Sequence, residues 1–223
     1  MCLQPSNLPK CPPFEGGQRE QPRAQGVMSK AVWLWLFIST LFCAGPVMAA
    51  NVEGQIVVRS ARDNGNVVVY IDAIPGKRFA APANPIVLDQ INLTFTPHVL
   101  PVLVGTTVAF PNSDEIRHNV FSPGPPRFDL GTYPQKTTKY HLFDKPGVWT
   151  MLCNVHAEMS AYVVVTETPY FARTGKDGKF VLNNVPPGKY TLKIWHEKAK
   201  PAAMPIEVTE SPVTSIPSIE LKR

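Results

Sequence analysis

From Val52 onward, the chain alternates between short apolar runs and polar turn residues, without a helical stripe in any window of a dozen residues. Most runs are rich in Val, Ile, Thr, Phe and Tyr, the residue types that half-buried strands favour. Gly, Pro, Asn and Asp separate the runs, as is typical of turns. This pattern predicts an all-β protein, a sandwich or a barrel. The predicted strands are Gly54–Arg59, Asn66–Ile71, Ile86–Phe95, Leu100–Val104, Thr106–Phe110, Asn119–Phe121, Thr137–Leu142, Gly147–Leu152, Ser160–Thr166, Lys179–Leu182, Gly188–Trp195 and Pro205–Val208.

The first 50 residues have a different pattern, a single apolar run that follows a positive charge. The run covers residues 31–47, begins after Lys30 and ends beside the small residues Ala49 and Ala50. This arrangement is typical of a secretory signal peptide, and the run is short for a membrane span. We predict that residues 1–50 are an N-terminal extension and cleaved signal peptide. The mature protein is then expected in a bacterial periplasm, without stable membrane insertion.

Composition narrows the classes of function. The chain has 223 residues, of which 44% are hydrophobic and 17% charged, so it can bury a core, and its 24 prolines disfavour long helices. The formal charge of +5 falls to +3 when the four positive and two negative residues of segment 1–50 are removed. A charge this small and dispersed gives no reason to expect a nucleic-acid partner.

Cysteine usage singles out one residue. Of the four cysteines, Cys2, Cys11 and Cys43 lie in the predicted extension, and only Cys153 belongs to the predicted mature chain. A lone thiol in an oxidising compartment cannot form an internal disulfide. It is then a buried inert thiol, an intermolecular crosslink, a nucleophile or a metal ligand, and its neighbours decide among these.

The segment that begins at Cys153 contains three donors suited to a soft metal. Cys153, His156 and Met159 lie within seven residues, on one short loop between two predicted strands, and His118 precedes another strand. One thiolate, two imidazoles and a weak axial thioether match a mononuclear copper site that transfers electrons. Zinc accepts Cys and His but gains little from Met. The spacing C-x₂-H-x₂-M in an exported all-β chain therefore favours copper.

Three other histidines of the predicted mature chain are alternatives to His118 as the second imidazole ligand. His98 lies at a strand boundary and His141 within a strand, and both are expected to face solvent. His196 lies in the C-terminal segment and has no local partner in the sequence. A single His, Cys or Met is more often a surface or core residue than a ligand, so the combination carries the prediction.

The residues around these candidates resemble the cupredoxins, the blue copper proteins. The resemblance is carried by residues 95–112, by His118-Asn-Val-Phe121 and by residues 145–159. The C-x₂-H-x₂-M loop is similar to that of amicyanin, whereas plastocyanin and azurin have longer loops. The resemblance implies an eight-stranded Greek-key sandwich over residues 86–168, with one type 1 copper at one end.

The resemblance also implies roles for individual residues. His118, Cys153 and His156 correspond to equatorial ligands and Met159 to the axial one. Asn119 corresponds to a residue that ties the two ligand-bearing loops together. The loop departs from amicyanin at 157–158, where Ala and Glu replace a proline and an aromatic residue, so the amicyanin partner cannot be carried over.

The flanking segments resemble a different module, a carboxypeptidase regulatory-like, transthyretin-type sandwich. Its turns are matched by Lys176-Asp-Gly-Lys-Phe180 and Pro187-Gly-Lys-Tyr190. We hypothesise that the copper domain, residues 86–168, is inserted into this module, so that residues 51–85 and 169–223 form its two parts. The whole arrangement is similar to exported cupredoxin-like proteins of the methylamine utilization type.

These features predict an electron carrier and not an enzyme. We expect a periplasmic blue copper protein that moves single electrons between redox proteins, such as a c-type cytochrome or a dehydrogenase. A protein that handles copper without exchanging electrons is the alternative. A copper enzyme would need paired His-x-His ligands, which the sequence lacks. An adhesion or carbohydrate-binding module with incidental copper ligands is a further alternative.

Overall fold

The computed structural model describes residues 49–223, and this part of the chain contains eighteen β-strands and no helix. The all-β class predicted from the alternation is therefore confirmed. Within this range no helical segment has the length and hydropathy of a membrane span. The predicted signal peptide lies outside the described residues, except for Ala49 and Ala50. The strands are β1 Ala50–Val58, β2 Val68–Ile71, β3 Ile86–Val87, β4 Asp89–Ile91, β5 Thr94–Thr96, β6 Val99–Leu103, β7 Thr106–Pro111, β8 His118–Ser122, β9 Phe128–Tyr133, β10 Thr138–Phe143, β11 Gly147–Leu152, β12 Ser160–Thr166, β13 Phe171–Arg173, β14 Lys179–Val185, β15 Gly188–Trp195, β16 Ala202–Val208, β17 Val213–Ser215 and β18 Ile219–Leu221.

Strands β3 to β12 form a central module, residues 86–166. A five-stranded sheet has the order β6-β12-β11-β8-β9, a three-stranded sheet has the order β10-β7-β3, and β4 pairs with β5. One apolar core belongs to this module, because alternate residues of its strands point inward. Its fully buried members include Val102, Phe110, Val120, Phe143, Met151 and Val163.

The prediction of one strand over residues 86–95 is wrong, because the structure divides this segment into β3, β4 and β5. Asn92 and Leu93 adopt φ angles of 54° and 58°, which turn the chain back in a two-residue hairpin. Two successive positive φ angles define the tight hairpin turn that normally takes Asn-Gly, and Leu is an unusual occupant. Together with β9, which was not predicted, this division raises the module to ten strands.

The segments before and after the central module form a flanking module, with residues 50–71 on one side and 171–221 on the other. One sheet has the order β14-β1-β17, with β18 also beside β1, and a second has the order β13-β2-β15-β16. Among the described strands, β1 and β2 pair only with strands that follow residue 170. The second core lies between these sheets and includes Val52, Ile56, Val69, Leu182, Leu192 and Ile194.

The two modules meet at a small apolar junction. Val68 of the flanking module is buried with Val99 and Val164 of the central module. Tyr162 packs against Trp195 across the junction, with ring centroids 5.1 Å apart. The modules are therefore in direct contact through side chains, as well as through the chain segments that connect them.

His141 does not face solvent as the sequence pattern led us to expect. Its ring stacks on the Phe128 ring, with the ring centroids 3.7 Å apart and an angle of 14° between the ring planes. The Nε2 atom of His141 is buried without a hydrogen-bond partner. Burial lowers the pKa of His141 below its ordinary value of 6.5, with a partial opposing effect from Asp144. Charging this ring would place an imidazolium among aromatic rings with no acceptor for one of its protons.

We predict that the metal-free protein loses stability as pH falls below 6.5. The unfolded chain binds a proton at His141 that the folded ring resists, so the stability present above pH 6.5 decreases toward the lower folded-state pKa. The variant His141→Phe should show a smaller decrease, measured by denaturant unfolding at several pH values. Tyr140→Phe, at an exposed position on the same strand, should keep the wild-type slope. An unchanged slope in His141→Phe would contradict the prediction.

Candidate metal centre

The loop that connects β11 to β12 carries three of the four predicted ligands. It spans residues 153–159, and its turn is closed by the Met159 N–H, which donates to the His156 carbonyl oxygen at 3.1 Å. Cys153 and Met159 are only 4% and 1% exposed, and both belong to the central core. The loop therefore directs its first and last side chains into the protein and leaves His156 at the surface, partly exposed.

His118, the fourth predicted ligand, lies on a different strand but reaches the same place. It is the first residue of β8, which pairs with β11 through Phe121 and Leu152, and its ring is fully buried. The ligating atoms of His118, Cys153 and His156 all lie within 4.8 Å of one another. Among the described residues, no other set of three His, Cys, Asp or Glu side chains is close enough to share one ion.

The two imidazoles face each other through the same kind of atom. Nδ1 of His118 lies 3.1 Å from Nδ1 of His156, and the ring centroids are 4.8 Å apart. Two nitrogens that both present lone pairs at this distance repel each other unless a proton or a cation lies between them. A metal ion bound by both nitrogens would take the place of that proton.

Asp114 fixes which nitrogen of His118 is free. The Nε2 atom of His118 lies 2.8 Å from the Asp114 carboxylate, which can only accept, so Nε2 carries the proton and Nδ1 presents its lone pair. The same carboxylate accepts the backbone N–H groups of Asn92 at 2.6 Å and Leu93 at 3.0 Å. Burial acts to raise the pKa of Asp114, but these amides and His118 together lower it. Asp114 thus stays ionised and joins the β4–β5 hairpin to His118.

Sequence reasoning missed Asp114, although a weak signal was present. A carboxylate four residues before a candidate metal-binding His is the type of group that orients such a ring. The neighbours Asn112, Ser113 and Glu115 are also polar, and nothing in the sequence distinguishes Asp114 from them.

Asn119 contacts both segments that carry the candidate ligands. Its backbone N–H donates to the Cys153 sulfur at 3.5 Å, and its side-chain oxygen accepts the Asn154 N–H at 3.3 Å. Its amide nitrogen donates to Asp129 at 2.7 Å, which fixes the orientation of the side chain. The Cys153 sulfur therefore receives a backbone hydrogen bond from the strand that bears His118, a contact that stabilises a thiolate.

The remaining histidines have other partners. The nitrogens of His98 lie 3.1 Å from the Ser160 carbonyl oxygen and 3.1 Å from Glu197. His141 stacks among aromatic rings, and His196 accepts the Lys198 N–H at 3.2 Å. The close group of donors thus contains His118 and His156 and excludes His98, His141 and His196.

The donor set fits copper. A buried thiol, two imidazole nitrogens that face each other and a buried thioether at the end of the same loop are the donor types that a mononuclear electron-transfer copper takes. Zinc would be satisfied by the first three donors but would draw little from Met159. The residues present therefore fit the ion that the sequence predicts.

No protein-family model matches the chain, and a search of curated proteins finds no relative. Among solved structures, it is similar to a purple cupredoxin from Nitrosopumilus maritimus at 22% identity and a TM-score of 0.34, over 36% of this chain and 99% of that one. It is similar to a reduced amicyanin variant at 24% identity and a TM-score of 0.35, over 44% of this chain and 97% of that one. The copper-containing nitrite reductase of Thermus scotoductus SA-01 shares 25% identity and a TM-score of 0.37, over 51% of this chain and 28% of that one. Because all three TM-scores lie below 0.5, the assignment of the site rests on the donor geometry.

We predict that Asp114→Asn weakens copper binding by about 10- to 100-fold, as is typical when the partner of a metal-binding His is lost. The asparagine keeps the shape, but its NH₂ group would face one of the three N–H donors that the carboxylate accepts. Affinity is measured by competition with a copper chelator. Glu115→Gln, an exposed neighbour, is the matched control and should bind like the wild type. Equal affinity of the two variants would show that Asp114 does not orient His118.

Proposed function

We propose that this protein is a periplasmic type 1 (blue) copper protein that carries single electrons between other redox proteins. His118, Cys153, His156 and Met159 are the residues that would hold one copper ion. The observation that carries the proposal is the close His–Cys–His group, in which His118 and Cys153 are buried and the two Nδ1 atoms lie 3.1 Å apart. Bound copper would supply one-electron chemistry by alternating between Cu(I) and Cu(II). The periplasmic location rests on the predicted signal peptide.

The donors are held by structure that does not depend on the ion. His118 is fixed by Asp114 at 2.8 Å, and the Cys153 sulfur receives the Asn119 N–H. Donors fixed in this way change position little when the charge at the site changes, which keeps the reorganisation that accompanies electron transfer small. This supports a carrier, for which both oxidation states must be accommodated by one arrangement.

The burial of the donors favours a carrier over an enzyme. His118, Cys153 and Met159 are 0%, 4% and 1% exposed, so their donor atoms are closed off by the core. A catalytic metal site keeps an open position for substrate or water. Only His156 reaches the surface, and it offers electrons a short route out without admitting a substrate.

The surface around His156 suits a transient partner. Val155 is 47% exposed, Ile116 is 45% exposed and Leu93 is 40% exposed. These three lie at the same end of the central module, because Val155 precedes His156, Ile116 lies two residues before His118, and the Leu93 N–H binds Asp114. A small apolar patch of this kind fits the short-lived encounter of a c-type cytochrome or a dehydrogenase.

We predict that Cys153→Ser abolishes the intense blue absorption of the copper-loaded protein. Serine offers a hard, neutral oxygen in place of the thiolate that produces the colour. Copper should also cease to raise the unfolding temperature, since binding energy adds to folding energy. Val155→Ala, in the same loop, should keep both properties. A wild-type protein that binds Cu(I) without colour or reversible reduction would favour copper handling and contradict the proposal.

We predict that Val155→Asp slows electron exchange with a soluble c-type cytochrome severalfold while the visible spectrum stays unchanged. A charge placed in the apolar patch must lose its hydration when the partner docks. Stopped-flow absorbance measures the rate. Val213→Asp, a valine of similar exposure at 42% in the flanking module, should exchange electrons at the wild-type rate. Equal rates in both variants would place the docking surface elsewhere.

A further inference from the structure

His98 connects the two modules at the Met159 side of the donor set. It lies between β5 and β6 of the central module, where its Nδ1 atom is 3.1 Å from the Ser160 carbonyl oxygen. Its Nε2 atom is 3.1 Å from Glu197, which follows β15 of the flanking module. The side chains of His98 and Glu197 are 35% and 19% exposed, so the contact is partly shielded from water.

Both partners of His98 can only accept hydrogen bonds. A carbonyl oxygen and a carboxylate have no proton to give, so the ring is the donor wherever one of these contacts is a hydrogen bond. A hydrogen bond to an ionised carboxylate is stronger than one between two neutral groups. The contact is therefore stronger than a chance approach of two surface side chains.

Within the central module, His98 contacts the residue that directly follows the ligand loop. Ser160 follows Met159 and is the first residue of β12. The His98 carbonyl oxygen also accepts the Tyr162 N–H at 2.9 Å, so His98 is attached to β12 at two points. His98, Glu158 and Met159 line one cleft of about 370 Å³, which places the contact on the Met159 side of the site.

Several other contacts anchor Glu197 and its neighbours to the junction. Trp195, two residues before Glu197, packs on Tyr162 with centroids 5.1 Å apart, and the His98 ring stands edge-on to the same tyrosine at 5.6 Å. Burial raises the pKa of Tyr162, and the nearby Glu197 carboxylate raises it further. Glu197 is thus held by the flanking module close to β12.

We propose that the flanking module is part of the metal centre, because Glu197 holds His98 and His98 fixes the backbone next to Met159. His98 and Glu197 are positioning residues that act through Ser160 on the Met159 side of the donor set. This inference rests on the proposed copper function for its significance, but the mechanical link exists in the metal-free protein and can be tested there.

The test is nuclear magnetic resonance of the metal-free protein with ¹³C-labelled methionine methyl groups. The described chain has three methionines, Met151, Met159 and Met204, and Met159→Leu assigns the relevant signal. In Glu197→Ala, the Met159 signal should shift or broaden while that of Met204 stays in place. Hydrogen exchange at the Tyr162 amide should accelerate about tenfold or more, as expected for loss of hydrogen bonds to a charged group.

Graded variants separate this role from general loss of structure. Glu197→Gln keeps an oxygen that can accept from His98, so its effect should fall between wild type and Glu197→Ala. Lys198→Ala is the matched control, because Lys198 lies 3.9 Å from the other Glu197 oxygen and does not contact His98. His98→Phe should reproduce Glu197→Ala, and the double variant should add nothing, since both residues act in one link.

The possible outcomes separate the two proposals. If Glu197→Ala leaves the Met159 signal and the Tyr162 amide as they are in Lys198→Ala, the link does not position the loop and this inference is wrong, whatever copper does. If the link is present but copper-loaded wild-type protein is colourless, the inference on structure stands and the proposed function fails. In a blue protein, Glu197→Ala should also shift the reduction potential more than Lys198→Ala does.

Discussion

The structure depends on holding electron-rich donors close together where water cannot separate them. Two imidazole nitrogens lie 3.1 Å apart beside a buried thiol, so a proton or a cation has to lie between them. The fold keeps the donors together by placing them on elements that are fixed for other reasons. His118 begins a strand of the five-stranded sheet, and Cys153 follows the neighbouring strand of the same sheet.

Each side of the donor set is held by a different part of the molecule. On the His118 side, the Asp114 carboxylate accepts hydrogen bonds from the His118 ring and from two backbone amides of the β4–β5 hairpin, all within the central module. On the Met159 side, the support comes from Glu197 of the flanking module through His98. An isolated central module would retain the first support and lose the second.

The sequence revealed features that are local, and it did not reveal those that depend on folding. Cys153, His156 and Met159 were visible because seven residues contain them all, and the segment 160–166 was visible from its run of valines. The Asp177-Gly178 turn was also visible, and a Cβ at Gly178 would lie 2.1 Å from the Ile56 carbonyl oxygen, so the turn requires glycine. These features need no knowledge of distant residues.

The features that were missed have partners far along the chain. Leu93 adopts a positive φ because its N–H is taken by Asp114, a tertiary contact that outweighs the local preference of leucine for an extended strand. His98 was expected to face solvent, yet it binds groups 62 and 99 residues away. No periodicity encodes such contacts, since each involves a single side chain.

In sequence, the central module lies between the two parts of the flanking module. The hydrogen bonds at the connection between the modules explain why the donor set is still held firmly. The central module ends at β12, and the chain re-enters the flanking module at once, where the Thr168 hydroxyl donates to the Ile71 carbonyl oxygen at 2.6 Å. The Thr166 hydroxyl in turn donates to the Thr168 carbonyl oxygen at 2.9 Å. Both ends of β12 are therefore attached to the flanking module, one through these threonines and the other through His98. A strand fixed at both ends cannot slide along its neighbours, and Met159, immediately before its first residue, is held in position for that reason.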